Sequence, residues 1–425
     1  MNTSNIQTTV DNELCFGCGT CQSICPAKAI RMEFSALGRL LPVIDEKACV
    51  HCGLCLKTCP GIDVDGELAE TDTVSLMGNI DSMWFAKSTN PTIFDNAQSG
   101  GGVTETISFL FDSGRIDAAL VVRQENHKAV YKVVTDKNEL LDCQSSQYTP
   151  VGLNCGLDAL SDFERVAVVG LPCHIEGIKK LKKAFPDNYA NIAYLIGLIC
   201  AGTLAQSCVE VTKRIGEPKI GEIAETDTIY WRSKKYSDYK RSDIAIVGAD
   251  NNPRILDNHI RHLAKHYLTA PRCRLCFDKM NLFSDITFGD CWGISGNDTK
   301  DGGNVILCRS AKSSEIISEM AAQGRLSCRP CSVTETKKGQ SISQKKRTVE
   351  KMLAVYQSKK LQTPGWAKAL TANSLPDKHL AQKASDFITR DKGPAPMVVK
   401  DITAKVKTRL FFKKITGKIR KAIGK

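Results

Sequence analysis

Between Cys15 and Pro60 one pattern of four cysteines and a proline occurs twice. The copies are Cys15, Cys18, Cys21, Cys25, Pro26 and Cys49, Cys52, Cys55, Cys59, Pro60. Both read C-x2-C-x2-C-x3-C-P, a spacing that wraps [4Fe-4S] cubanes. Two-residue gaps bring three thiolates to one cube from a single tight loop, and the fourth cysteine, just past the loop, reaches the other cube. The ligands therefore cross over: Cys15, Cys18, Cys21 and Cys59 serve one cluster, and Cys49, Cys52, Cys55 and Cys25 serve the other. Gly17, Gly19 and Gly53 keep Cβ atoms out of the turns, so that backbone N–H groups can face the sulfides, and Pro26 and Pro60 stiffen the exits. A pair of zinc sites would need four ligands each, but not this triple spacing with a terminal proline twice over.

Between the copies, Ala29 to Phe34 and Arg39 to Asp45 read as short strands of a pseudo-symmetric α+β dicluster ferredoxin module over residues 13–66. The 425 residues leave room for one or two further domains, and 42% hydrophobic with 24% charged residues is an ordinary globular balance. Nineteen cysteines in a chain that opens MNTSNIQTTVDNELC, without a basic-then-apolar export signal, point to metal ligation in a reducing cytoplasm rather than to disulfides. The longest apolar run, near Ile192 to Ala201, is shorter than the about 18 residues that span a bilayer. The formal net charge of +12 is concentrated at one end: Met397 to Lys425 holds ten Lys or Arg against one acid, Asp401. The remainder is nearly neutral, which argues against a general nucleic-acid-binding surface and for a specialised basic tail.

Residues 1–12 read as a disordered leader and 67–81 as a linker. From Trp84 to about Cys308, β-rich runs (Ala118 to Arg123, Val166 to Gly170, Ile192 to Cys200) alternate with helical stretches such as Ile175 to Phe185, the pattern of an α/β domain. Three junctions in it carry chemistry. In Asn96-Ala-Gln-Ser-Gly-Gly-Gly-Val-Thr104, glycines before a helix at Glu105 to Phe111 expose N–H groups suited to a phosphate, with Ser99 to cap the helix or bond a phosphate oxygen; a flexible turn is the plain alternative. Cys173, after the strand Val168 to Gly170 and before a helix, is placed for ligation or redox work, or is a buried structural thiol. Cys200 ends the next strand, and taken alone reads as core. Cys273 and Cys276 form a two-residue-spaced pair that needs two more ligands to make a metal site; the alternatives are a redox dithiol or half of a zinc site.

Taken in order, SGGGVT at Ser99, GLPCHIEG at Gly170, LICAG at Leu198, RCRLCFD at Arg272 and SDITFGDCW at Ser284 resemble the coenzyme F420 hydrogenase/dehydrogenase beta-subunit family, in the subgroup with an N-terminal dicluster ferredoxin. The resemblance covers about residues 13–310. It implies an α/β flavin-binding domain over 82–332 that holds FAD and a third [4Fe-4S] cluster. Carried over by position, that cluster's ligands are Cys173, Cys200, Cys273 and Cys276, with Cys291 and the Cys328/Cys331 pair as competitors. The implied FAD contacts are Ser99, Gly100, Gly101, Gly102 and Thr104, with Ser146, Tyr148 and Asp290 lining the site. The implied function is an iron–sulfur flavoprotein oxidoreductase that links one-electron transfer, to or from a donor or acceptor protein, with two-electron chemistry at FAD. Family members from methanogens use the deazaflavin coenzyme F420, and bacterial relatives are linked to ferredoxin and to surface-polysaccharide biosynthesis. The alternative is a non-catalytic electron-transfer subunit that feeds a separate reductase. No G-x-G-x-x-G nicotinamide fingerprint is present at the glycines.

Beyond about Arg325 the resemblance fades. Within the segment 333–396, Thr334 to Lys346 reads as a polar, basic connector and residues 347–390 as one or two helices. The tail, 397–425, reads as a helix: at about 100° per residue, Phe411, Phe412, Ile415, Ile419 and Ile423 share an arc of roughly 120°, with lysines and arginines on the rest. An anionic membrane surface is the first partner this pattern fits, which would make the protein peripheral at the inner face of the membrane. A solvated tail and docking to an acidic partner are the other readings, and Gly417 lowers the helical propensity.

Overall fold

A computed structural model of the protein describes residues 5–63, 76–368 and 377–422. Its strands, in chain order, are β1 (Ile30–Phe34), β2 (Leu40–Ile44), β3 (Ser82–Ser88), β4 (Ala118–Glu125), β5 (Lys128–Val134), β6 (Val166–Gly170), β7 (Ile192–Leu198), β8 (Thr228–Tyr230), β9 (Ile244–Val247), β10 (Pro253–Leu256), β11 (Ile286–Asp290), β12 (Asn304–Cys308) and β13 (Leu326–Pro330). β1 and β2 make the antiparallel hairpin between the two cysteine loops, and β8 to β10 make a small antiparallel sheet.

The centre is an eight-stranded sheet in the order β13-β3-β12-β11-β7-β6-β4-β5. Its middle four strands, β11, β7, β6 and β4, run parallel, and antiparallel pairs flank them on both sides. A parallel centre must be covered on both faces, and β6, Val-Ala-Val-Val-Gly, is buried throughout. Alternate residues point to opposite layers. Leu120, Val168, Leu195 and Leu307 meet Ile175, Ile178 and Leu181 of the helix Pro172–Ala184 and Val349, Met352 and Leu353 of the helix Ile342–Ser358. Ala119, Val169, Ile196 and Ile306 meet Ile107, Phe109 and Leu110 of the helix Gly102–Asp112 and Ile316, Ile317 and Met320 of the helix Ala311–Ala322. The result is a three-layer α/β domain with the carboxyl ends of β6, β7 and β11 side by side, where ligands enter such sheets.

Several segments differ from the sequence expectation. Residues 5–12 are not a disordered leader: Gln7–Asp11 is a helix, Ile6 is 2% exposed, and Thr9 reaches Cys59 Sγ at 3.8 Å, because the cysteine loops need an apolar lid that this turn supplies. Of the linker at 67–81, residues 67–75 lie outside the described residues, while Leu76 and Met77 are buried in the main core. Thr334 to Lys346 is not a connector. It contributes to two helices, Val333–Gly339 and Ile342–Ser358, the second of which carries core residues on its inner face. The basic tail is not free along its length either. The helix Ala395–Ala422 buries Val398, Val399, Ile402 and Val406 with the helices Cys208–Ile220 and His259–Leu268 before its apolar side chains emerge at Phe411 and Phe412.

The cysteine module is packed into this body. Leu14 joins the main core and Leu37 the second one, and both are 0% exposed. Arg39 on the hairpin pairs with Glu13 at 2.6 Å and with Asp391 of the helix Lys378–Asp391 at 3.2 Å, all three buried. Asn154, 0% exposed, donates its backbone N–H to Cys18 O (3.0 Å) and its side-chain amide to Thr20 Oγ1 (2.8 Å) and His174 O (3.0 Å), joining the first cysteine loop to the helix that starts after β6.

Candidate functional site

Three cysteine cradles and one larger cavity form a continuous row. The outermost cradle is a surface pocket lined by Cys25, Cys49, Cys52 and Cys55, with Cys52 exposed and Val50 65% exposed beside it. Next inward, Cys18, Cys21 and Cys59 are buried, and Cys15, Cys18 and Cys59 all act electrostatically on Cys21. The groupings are those that crossed ligation requires. Gly19, at the start of the short helix Thr20–Ser23, has φ 88°, and a Cβ there would lie 2.5 Å from Cys155 Sγ, so only glycine fits this loop.

The third cradle gathers Cys173, Cys200, Cys273 and Cys276 around one cavity with Phe16 and Lys345. Each arrives for a local reason. Cys173 opens the helix Pro172–Ala184 after β6, where His174 Nδ1 accepts the Leu171 N–H (3.2 Å) and Nε2 donates to Val151 O (3.1 Å). Burial holds that imidazole neutral, pushing its pKa down to about 4. Cys200 follows β7 and is tied by its N–H to Lys279 O at 2.9 Å, which draws it to the Cys273/Cys276 segment. Lys345 clamps that segment by donating to Cys273 O at 3.1 Å. Cys291 does not line this cavity; it is buried with Phe85, Tyr239 and Ile294, with Cys331 packed against them, and Cys328 lies on β13.

The donor chemistry fits iron–sulfur clusters. Gly17, Gly61 and Gly202 donate N–H to Cys15, Cys59 and Cys200 sulfurs at 3.4, 3.3 and 3.3 Å, so the same two-residue N–H···S contact recurs in the ferredoxin loops and the third cradle. Burial pushes the thiols up, Cys15 and Cys276 to about 12, with Cys59 adding to the rise at Cys15; thiolates here need a cation in their midst. A single zinc ion, at about 2.3 Å from each sulfur, would hold four sulfurs within about 3.8 Å of one another. Among the described residues no set of three cysteines has its sulfurs within 4.8 Å, the one tight ligand group being Glu46, Cys49 and His51. The cradles are wider than a one-ion site.

The fourth space is a cavity of about 310 Å³ over the carboxyl ends of β6, β7 and β11. Its walls share Val151, Leu171, His174, Cys200, Gly202 and Thr203 with the third cradle. Ser99, Gly101, Gly102, Thr104, Ser146, Tyr148 and Asp290 all line it. Gly101 is left-handed (φ 76°) and offers no side-chain cap to the helix Gly102–Asp112 that follows; Asn304 Oδ1 accepts the Gly102 N–H at 2.8 Å, and the first turn continues along the cavity wall at Val103 and Thr104, so the helix N-terminus faces the cavity. Two expectations need correction. Ser99 does not cap the helix, because its hydroxyl donates to Gly303 O. Gly100 does not line the cavity: its carbonyl accepts the Ser88 N–H at 2.8 Å, and a Cβ there would lie 2.6 Å from Asn304 N, so it serves close packing against the sheet.

The cavity also holds polar residues that sequence reasoning missed. Arg232 donates to Asp290 Oδ2 at 2.6 Å; burial works against its charge, but Tyr148 and Asp290 outweigh it and raise its pKa. Arg232 Nη2, both polar atoms of Gln98, Gln144 Oε1, Ser145 Oγ and Thr149 Oγ1 are buried without a partner. Unpaired buried polar atoms are costly, and their gathering around an apolar slot is the edge that a flat heteroaromatic ligand with several carbonyl and N–H groups would satisfy. Arg232 follows a three-residue strand and has no local signal in the sequence. Gln144, Ser145 and Thr149 flank Ser146 and Tyr148, so the stretch itself was the available signal.

Family models cover most of the chain. One for the C-terminal part of the coenzyme F420 hydrogenase/dehydrogenase beta subunit matches residues 163–334, its N-terminal counterpart matches 83–157, and a 4Fe-4S dicluster domain model matches 14–61. A coenzyme F420-dependent sulfite reductase of Methanocaldococcus jannaschii is 27% identical over 72% of this chain and 46% of its own length. An F420-dependent formate dehydrogenase 1 subunit beta of Methanococcus maripaludis is 25% identical over 51% of this chain and 53% of its own. This chain thus spans about half the length of these two relatives. A coenzyme F420 hydrogenase subunit beta of Methanococcus voltae is 24% identical over 63% of this chain and 90% of its own. A chain of the F420-reducing [NiFe] hydrogenase complex from Methanosarcina barkeri has the same fold, with a TM-score of 0.52 at 18% identity over 67% of this chain and 94% of that one.

Proposed function

The chain belongs to the coenzyme F420 hydrogenase/dehydrogenase beta-subunit family and carries an N-terminal 4Fe-4S dicluster domain; from that premise we propose that it is an iron–sulfur flavoprotein oxidoreductase. In this reading Cys173, Cys200, Cys273 and Cys276 hold a third [4Fe-4S] cluster and the 310 Å³ cavity holds FAD. The observation that carries it is the wall shared by that cavity and the third cradle, with Cys200 in both. When bound, the clusters supply one-electron transfer, and the flavin supplies exchange between two-electron and one-electron chemistry. The chain's own residues do the rest. The N-terminus of the helix Gly102–Asp112 receives an anionic group, Arg232 bonds an electron-rich edge while Asp290 fixes its direction, and Gln98, Gln144 and Thr149 complete the polar rim. Leu171 and His174 close the cavity toward the cysteines.

The names of the relatives make coenzyme F420 the first two-electron partner to try. At the other end, the exposed cradle of Cys25, Cys49, Cys52 and Cys55 suits a one-electron donor or acceptor protein. The same exposed cradle favours a second reading, an electron-transfer subunit that feeds a separate reductase. The test is the iron, sulfide and flavin content of anaerobically purified protein, followed by turnover with reduced F420 and an artificial one-electron acceptor. About twelve irons and one flavin per chain, with turnover by the chain alone, support the enzyme. About eight irons without flavin remove the third cluster and leave the electron-transfer reading.

For placement, we propose that the far end of the C-terminal helix adsorbs to an anionic lipid surface. No helix among the described residues is long and apolar enough to cross a membrane. Phe411 and Phe412, 61% and 60% exposed, lie close in the chain to the exposed Lys407 and Lys413, so insertion of two rings and attraction of the cations act at the same end of the helix.

A further inference from the structure

Arg272 lies between the second and third cysteine cradles. It occupies the short helix Pro271–Leu275 directly before Cys273, is 2% exposed, and stacks its guanidinium 4.1 Å from the centre of the Phe16 ring, the residue that follows Cys15. Its Nη2 donates to Pro60 O, the residue after Cys59, at 3.4 Å. Nε and Nη1 are buried without a hydrogen-bond partner, and among the described residues no carboxylate forms an ion pair with it. The Arg272 charge reaches the third cradle, which Lys345 also lines with its own charge. Glu176 feels the Arg272 charge, but its own burial pushes its carboxyl well above the usual range. Arg39, the other buried cation beside Cys15, is different, because Glu13 and Asp391 neutralise it.

A buried guanidinium with no counter-charge is strongly disfavoured, and the anions that can relieve it here are the ones the cradles hold. Building on the reading of Cys173, Cys200, Cys273 and Cys276 as cluster ligands, we propose that Arg272 is a positioning residue that favours the reduced state of the clusters in both neighbouring cradles. The step it serves is the passage of one electron from one cradle to the other. One cluster is oxidised as the other is reduced, no bond is made or broken, and no proton moves. A reduced cluster carries one more negative charge than an oxidised one. A fixed cation between the two sites therefore raises both potentials together and leaves their difference largely unchanged. The outer cradle of Cys25, Cys49, Cys52 and Cys55 shares no lining residue with the third cradle and serves as the internal reference.

The test is an EPR-monitored redox titration of the full-length protein, anaerobically purified, as wild type, R272M and R272K, with iron counted for each. In R272M, at a fixed potential, the reduced-to-oxidised ratio of the two inner signals is expected to fall at least ten-fold, about 59 mV for a one-electron couple. The outer signal stays in place. R272K keeps the charge and stays within about three-fold of wild type, under about 30 mV on the same one-electron scale. Full iron content in R272M with unmoved inner signals overturns the proposal while leaving the third cluster intact. If R272M loses iron, R272K decides, because it carries the charge without the planar stack on Phe16: inner potentials near wild type support the proposal, and a ten-fold fall overturns it. About eight irons in the wild type would instead sink the third-cluster reading on which the proposal rests.

Discussion

Gly202 donates its N–H to Cys200 Sγ at 3.3 Å, the relationship that Gly61 has with Cys59. A thiolate that ligates iron gains from such a donor, whereas a core thiol gains little. Cys200→Ala is therefore expected to lower iron from about twelve to about eight per chain, one four-iron cluster. The ferredoxin signals should persist in EPR. Iron unchanged from wild type, or loss of all three clusters together, would count against a cluster at Cys173, Cys200, Cys273 and Cys276.

Arg232 and Asp290 are 2.6 Å apart at the edge of the large cavity, and Nη2 of the arginine has no partner. Losing one charged hydrogen bond costs about 1.5–3 kcal/mol, or about 10- to 150-fold in affinity. Arg232→Met should weaken FAD binding to deflavinated protein by that factor, read from flavin fluorescence titration. Asp290→Asn, which leaves the arginine in place but unsteered, should weaken it less. Equal affinity of wild type and Arg232→Met would remove Arg232 from the flavin edge.

Arg39 is 6% exposed at its side chain between Glu13 and Asp391, at 11% and 8%. It is the ionic tie between the hairpin of the cysteine module and the helix Lys378–Asp391. Arg39→Met leaves two buried carboxylates unpaired, a loss of about 3–5 kcal/mol. Chemical denaturation should show that loss as a lower midpoint with an unchanged slope. A change under about 0.5 kcal/mol would mean that the tie is solvated in solution.

Lys234 donates to Ser99 O at 2.7 Å over the Phe94 ring, and burial, opposed by Asp95, draws its pKa down to about 8. Its folded pKa lies below the ordinary value, so the unfolded chain binds more protons between the two. The resulting contribution is complete above the ordinary lysine value and is lost as pH falls through about 8. Because the side chain is partly exposed, the effect is on the order of 1 kcal/mol. Relative to Lys234→Met, wild type should gain stability from about pH 8 upward, toward the ordinary lysine value, in parallel denaturant titrations. Parallel pH profiles for the two proteins would contradict the buried, depressed lysine.

Legibility in the sequence followed locality. The hairpin expected at Ala29 to Phe34 and Arg39 to Asp45 is Ile30–Phe34 paired with Leu40–Ile44, because spacing and alternation act over a few residues. The strand ends before Cys173 and Cys200 were readable from all-apolar runs, which a parallel sheet buried on both faces imposes. Three things were not readable. The start of the helix Ile342–Ser358, up to Lys346, looked like a connector because Ser343, Gln344, Lys345 and Lys346 are polar and most of its core face begins only at Val349. Arg232 reaches the cavity through a loop whose path depends on the small sheet, so no window around it could reveal the contact with Asp290. The docking of Val398, Val399, Ile402 and Val406 was hidden because the charge run that follows dominates the local pattern.

That division of the last helix also sets how its outer end behaves. Up to Leu410 the apolar face is spent on the protein, and the guanidinium groups of Arg390 and Arg409 lie 5.7 and 5.1 Å from the ring centre of Tyr267 on the helix His259–Leu268. From Phe411 onward the rings face outward, and no acid follows Asp401 in the sequence. Adsorption should therefore need both anionic lipid and the two rings. Wild type is expected to float with vesicles that contain phosphatidylglycerol and to stay behind with neutral phosphatidylcholine vesicles. Phe411→Ser/Phe412→Ser should lose most flotation while keeping its iron and its denaturation midpoint, because the docked residues Val398 to Val406 are untouched. Binding that survives the double substitution but disappears in high salt would make the surface purely electrostatic, and an acidic protein would then be as good an occupant as a membrane.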